Sequence, residues 1–221
     1  MYPFTKHQST DMPPGGGPVE PQLDETSRAL LIAAHRLLAG HGSQALTVRR
    51  IATEAGMSTM NVYSRFGGKD GVVDMLYIDG FERLFAAINA VETTDDVPAD
   101  LVRVAHVYRD FALENPTYYG VMFRNSIENF TPSDRATAIS LGGFSVFAER
   151  LRHGQTIGQI ASGAGRSAPE IAAFLWATCH GMVSLELVGA ASEVLSWSSI
   201  FDAGFRTAIA GLDPTVALAI D

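Results

Sequence analysis

The stretch Ala55-Gly-Met-Ser-Thr-Met-Asn-Val-Tyr-Ser-Arg-Phe66 decides how this chain folds, because it sets a glycine break between two short runs of helical periodicity. Upstream, Thr47 can cap a helix whose Val48, Ile51, Ala52 and Ala55 form one apolar stripe, and Gly56 is the residue expected just past its end. Downstream, Ser58 can cap a second short helix anchored by Val62 and Phe66, four residues apart, and Gly67-Gly68 closes it. With Val62 and Phe66 turned inward and about 100° per residue, Met60, Asn61 and Ser64 emerge on the opposite side. Tyr63 and Arg65 flank them, and Thr59 projects from the helix start. Two short helices joined in this way, the second with hydrogen-bonding groups outward, make the helix-turn-helix arrangement that seats a recognition helix in a major groove.

Charge supports a local reading of this kind. The chain carries a formal charge of -8, which argues against a protein that coats nucleic acid. Up to Asp70, however, there are seven basic and six acidic residues, against nine and eighteen beyond it. Between Thr47 and Lys69 stand Arg49, Arg50, Arg65 and Lys69 with only Glu54 against them, a basic patch on an acidic body. A solvated charged face is the duller reading of that patch.

The rest of the chain is read outward from this segment. Residues 1–22 hold Pro13-Pro-Gly-Gly-Gly-Pro18 and no apolar period, and are expected to be a flexible tail. Ala29, Leu30, Ala33, Ala34, Leu37 and Leu38 mark a helix ended by Gly40-His41-Gly42. A longer helix should start near Lys69 and run to Ile88, and a linker at Thr93-Thr-Asp-Asp-Val-Pro98 follows. Helical runs are expected at about 99–114, 117–125, 133–152, 169–191 and 196–211. No sustained alternation suggests a sheet, so the fold class is all-α: a three-helix head over 23–68 on a larger helical body over 69–221. The run from Ile171 to Ala191 is apolar nearly all round, but Thr178, His180, Ser184 and Glu186 fit a helix between other helices better than a membrane span. The lone Cys179 and the lack of a secretory start point to the cytoplasm.

The chemistry of the head suits a DNA duplex. Asn61 can offer a donor and an acceptor to one base edge, Thr59 and Ser64 can bond base or phosphate, and Met60 can touch a thymine methyl. Tyr63, with Thr47 and Arg49 at the start of the preceding helix and Lys69 at the start of the next, is placed for the sugar-phosphate backbone, and Val48, Ser58 and Arg65 complete the residues expected to meet DNA. Each has a plainer alternative: Tyr63 packed on the first helix, or Arg49 or Arg50 paired with Glu54 on a wet surface. An enzyme is not expected, since the chain holds no Gly-x-Ser-x-Gly, phosphate loop or His-Glu-x-x-His. A helical small-molecule-binding or scaffold protein, its head contacting protein, is the rival reading.

Leu46-Thr-Val-Arg-Arg-Ile-Ala-Thr-Glu-Ala-Gly-Met-Ser-Thr-Met-Asn-Val-Tyr-Ser-Arg-Phe-Gly-Gly-Lys-Asp-Gly-Val-Val73 resembles the DNA-binding segment of TetR-type transcriptional regulators. That family's pattern has Leu-Thr, a short helix ending Ala-Gly-Val-Ser, a Leu-Tyr-x-x-Phe core and Lys-Glu or Lys-Asp before an apolar helix. Met57 for Val and Val62 for Leu are mild departures, while Gly67-Gly68 loses a side-chain cap for the next helix. Phe174-Leu-Trp-Ala-Thr-Cys-His-Gly-Met-Val-Ser-Leu-Glu-Leu187 is similar to a Trp...His-Gly sequence in one branch of the family. The resemblance implies a homodimer that binds a palindromic operator, usually as a repressor, and is released by a small molecule bound in the body. It also implies a four-helix dimer interface from the last two long helices.

For the effector, Phe111, Tyr118, Tyr119, Met122, Phe123, Phe144, Phe147 and Trp176 are available to line a largely apolar cavity, although each taken singly fits ordinary core. His180 fits a close helix contact, a polar group facing the pocket, or a metal ligand, in that order. The histidines are scattered without metal-like spacing, so no metal and no cofactor is expected. Glu186 is left to pair across a dimer or with a cationic ligand, and Cys179 is given no role.

Overall fold

A computed structural model of the chain describes residues 23–124, 126–162, 167–213 and 215. The tail expected over 1–22 lies outside them. Among the described residues the elements are α1 (Glu25–His41), a 3-10 turn (Ser43–Ala45), α2 (Val48–Glu54), α3 (Thr59–Phe66) and α4 (Lys69–Asn89). There follow α5 (Val97–Glu114), α6 (Pro116–Phe123), α7 (Asp134–Thr156), α8 (Ala168–Leu187) and α9 (Trp197–Ala210), with no strand. No helix among them is long and apolar enough to cross a membrane.

Local chemistry sets most of the boundaries. Asp24 caps α1 by accepting from Ser27 N at 2.7 Å, and Thr47 caps α2 by accepting from Arg50 N at 3.3 Å. Gly56 follows α2 at φ +67°, where Met57 N donates to Ala52 O and Gly56 N to Thr53 O. That paired closure needs a left-handed residue, and glycine adopts it without a Cβ clash. Ser133 caps α7 through Ala136 N, and Asn115 stands between α5 and the Pro116 that opens α6.

Three expectations are corrected. Ser58 makes no side-chain cap on α3; its hydroxyl accepts from Asn61 Nδ2 at 3.3 Å instead. The run expected to reach residue 191 stops at Leu187, because the chain turns through left-handed Gly189 and Ala191. The helix expected to end at Arg152 continues to Thr156.

In the head, α1 packs on α2, α3 and α4 around Leu30, Leu31, Ala34, Leu37, Leu46, Ile51, Ala52, Val62, Val72 and Leu76, all buried. Helix α4 also packs on α5, α6 and α7, so one apolar core runs from head to body. At Gly80 a Cβ would stand 2.7 Å from Met122 Sδ, which makes the close seat of α6 on α4 depend on that glycine. Tyr118 of α6 donates to Asp79 of α4 and lies 4.7 Å from the His35 ring of α1. Arg83 donates to the same Asp79 at 3.0 Å and stands over the Tyr118 ring.

Candidate nucleic-acid interface

Helix α3 is held by one fully buried side chain, Val62, with Phe66 half-buried behind it. The opposite side is open: Met60 is 69% exposed and Tyr63 54%, beside exposed Thr59, Ser64 and Arg65 and half-buried Asn61. This leaves a face of apolar and hydrogen-bonding side chains open to an outside partner. Ser58, Thr47 and Arg49 are exposed at neighbouring positions, and Lys69 is half-exposed with its Nζ 4.0 Å from the Asp70 carboxylate. Val48 is half-buried against the core, so it offers only its outer edge.

Two of these side chains are tied down. Arg65 donates through Nε and Nη2 to both oxygens of Asp24, at 3.3 and 3.1 Å, and through Nη1 to Asn61 Oδ1 at 3.0 Å. Asn61 donates in turn to Ser58 Oγ. The guanidinium, with help from Ser27, holds the Asp24 carboxyl well below the usual carboxylate range.

In the body, Tyr119, Phe123, Trp176 and His180 come together, with ring centroids 5.0 to 6.2 Å apart. The hydroxyls of Tyr108 and Tyr119 lie 3.2 and 2.8 Å from His180 Nδ1, so this histidine is a polar pin inside an aromatic cluster. Burial keeps its imidazole below the ordinary histidine range and pushes the Cys179 thiol up to about 12. Phe111 and Met122 are buried, Phe144 and Phe147 are half-buried on α7, and Tyr118 belongs to the α1–α4 junction. Two cavities lie away from this cluster. A cavity of about 310 Å³ is lined by Val97, Leu101 and Val146 and by the charged or polar Thr93, Asp100, Glu149, Arg150 and His153. A second of about 200 Å³, lined by Phe85, Ile88, Ile139 and Gly143, shares Val146 with it. Arg150 Nη1 is buried without a hydrogen-bond partner among the described residues. Glu186, left open by sequence, accepts from Arg109 of α5 at 2.8 and 2.5 Å.

Residues 101–211 match the family described as "Tetracyclin repressor-like, C-terminal domain", half of the chain, and residues 30–76 match "Bacterial regulatory proteins, tetR family". The chain belongs to the TetR family. An HTH-type transcriptional regulator of Mycobacterium tuberculosis is 23% identical over 129 residues, 57% of this chain and 55% of that protein. The chain thus spans about half the length of the curated relatives it matches. Among solved structures, a protein of unknown function from Rhodococcus sp. RHA1 shares the fold with a TM-score of 0.75 and 24% identity, over 88% of this chain and 99% of the other. The fatty acid degradation regulator FadR from Bacillus halodurans superposes with a TM-score of 0.69 at 14% identity, over 85% and 96% of the two chains.

Within this TetR-family head, sequence reasoning missed Asp24, which is 41 residues from Arg65 and carries no local sign of the pairing. In the body it missed Tyr108, although Tyr108 and Phe111 fall on one helical face three residues apart, and it missed Arg109.

Proposed function

We propose that this TetR-family protein is a cytoplasmic homodimeric regulator, a repressor that reads a palindromic operator with residues 23–68 and takes a small, largely apolar effector in residues 69–221. The outward face of α3 carries the reading: Met60, Tyr63 and Ser64 are exposed beside half-buried Asn61 on a head whose charge is opposite to that of the body. Thr59 and Asn61 meet bases, while Thr47, Arg49, Tyr63 and Lys69 hold phosphates. The dimer forms through α8 and α9. Phe174, Gly181, Leu185 and Val188 make an exposed stripe on the side of α8 away from the core, beside the small exposed residues Ala203, Gly204 and Thr207 of α9.

The test is selection of duplexes by the full chain from a randomised library. Recovered sequences are expected to be palindromes with half-sites about one helical turn apart, or a small multiple of it, bound with an affinity that falls steeply with salt. Asn61→Ala should relax preference at one operator position by about 1 to 3 kcal/mol, whereas Lys69→Ala should weaken all duplexes alike and flatten the salt slope. Enrichment of no duplex at low salt would return the head to a protein-contact role.

We place the effector in the cavities between α4, α5 and α7 rather than in the Tyr119–Phe123–Trp176–His180 cluster, whose rings pack on one another. Arg150, which lines the larger cavity together with Asp100 and Glu149, is the cation there that an apolar molecule with one acidic group would meet. The Bacillus halodurans protein that shares this fold is a regulator of fatty acid degradation. Medium-chain carboxylic acids are expected to raise the melting temperature more than their methyl esters, the advantage disappearing in Arg150→Met. A ligand at a hundred times its Kd adds about 2.7 kcal/mol of stability, well within range of a thermal-shift assay. Equal shifts for acids and esters would remove the acidic group from the reading. The signal would pass through α6, whose Tyr118 and Met122 touch α1 and α4.

A further inference from the structure

An arginine side chain only donates, and its donors form a rigid planar fork. In this head the fork closes on Asp24 with Nε and Nη2, which leaves Nη1 turned to α3, where it lies 3.0 Å from the Asn61 amide and 3.4 Å from Ser64 Oγ. Because Nη1 cannot accept, the atom of Asn61 that faces it must be the oxygen. The amide nitrogen is then directed at Ser58 Oγ, 3.3 Å away, and a flipped amide would set N–H against N–H. One N–H and one lone pair of Asn61 are left for an outside partner in a single fixed arrangement. Adenine's major-groove edge, with its N7 acceptor and N6 donor, complements that pair. Asp24 is itself fixed by its cap bond to Ser27 N at 2.7 Å, so the first turn of α1 is linked to the amide of α3 through one guanidinium.

We propose that Asp24 and Arg65 form a positioning pair that sets operator specificity without touching a base, by holding the Asn61 amide in one orientation. This rests on the reading of α3 as the DNA-contacting helix. The pair has a second consequence, for the Asp24 carboxylate, 57% exposed, neutralises Arg65 and restrains attraction to phosphate of any sequence. Loss of Asp24 should therefore weaken discrimination while strengthening indiscriminate binding, a combination that a general loss of structure does not produce.

The full chain is first used to select an operator from a randomised duplex library, and the position read by Asn61 is located with Asn61→Ala. Affinities for that operator, for its single-base variants at this position and for a random duplex are then measured against salt. Asp24→Asn keeps an equally good helix cap and loses the ionic fork. It is expected to lower discrimination at this position about fivefold or more, to raise affinity for the random duplex and to steepen the log–log salt slope by about two units, one from each head of the dimer. Arg65→Gln, which leaves the α1 cap in place, is expected to lose the same discrimination without the gain on random duplex. Unchanged base preference in Asp24→Asn overturns the proposal. So does an Arg65→Gln protein that binds every duplex equally more weakly with a flatter salt slope, since Arg65 would then be a plain phosphate contact. Failure of the unaltered chain to enrich any duplex overturns the DNA reading itself and this proposal with it, whereas enrichment with a silent Asp24→Asn overturns the pair alone.

Discussion

Leu185→Arg is expected to turn the proposed dimer into a monomer and to lower operator affinity at least about a hundredfold, equivalent to about 3 kcal/mol. Leu185 is 48% exposed in the single chain and lies on the same face of α8 as Phe174, Gly181 and Val188, a stripe without a charge. In a two-fold interface both copies would carry the new guanidinium into the apolar stretch of that stripe, more than about three and a half turns from Glu170 on the same helix, and desolvating unpaired charges costs several kcal/mol. The operator loses twice, because two tethered heads bind far more tightly than one. Sedimentation equilibrium and fluorescence anisotropy on the selected palindrome are the measurements. A variant that stays dimeric at micromolar concentration would move the interface off this face of α8.

Arg109→Met is expected to cost about 3 kcal/mol of stability, because it leaves the Glu186 carboxylate nearly buried without its cation. The pair is bidentate, its side chains are 13% and 17% exposed, and the guanidinium also stands 5.7 Å over the Phe201 ring. Removing both charges, Arg109→Met with Glu186→Leu, should recover most of the loss, since a buried ion pair seldom outperforms packed apolar groups. Urea denaturation at one fixed protein concentration reads both numbers. Should the single variant lose less than about 1 kcal/mol, or the double fare no better, α5 and α8 are not joined through this pair.

Much of the head was legible along the chain because its determinants are local. Thr47, Gly56 and Gly67 act on their own helix ends, and the four-residue spacing of Val62 and Phe66 sets which side of α3 is left for Met60 and Ser64. Ser58 shows where local reasoning runs short. Its cap role depends on whether the hydroxyl bonds the backbone or a neighbouring amide, and here Asn61 takes it. The body was legible as helices but not as a site. Aromatic residues at helical spacing say that a face is apolar, not whether the space in front of it is filled; Tyr119 and Phe123 are packed on His180, and a cavity lies along Val97, Val146 and Arg150.

By itself the amino-acid sequence determined the helical periodicity, the glycine-closed turn between α2 and α3, the outward face of the recognition helix and the contrast between a basic head patch and an acidic body, since each follows from residues a few positions apart. Only the tertiary structure decided that Arg65 belongs to Asp24, that Glu186 belongs to Arg109, and that the cavities open beside α7. Those outcomes depend on which side chains meet across 41 and 77 residues, and such encounters follow from how the helices pack rather than from any pattern along one of them.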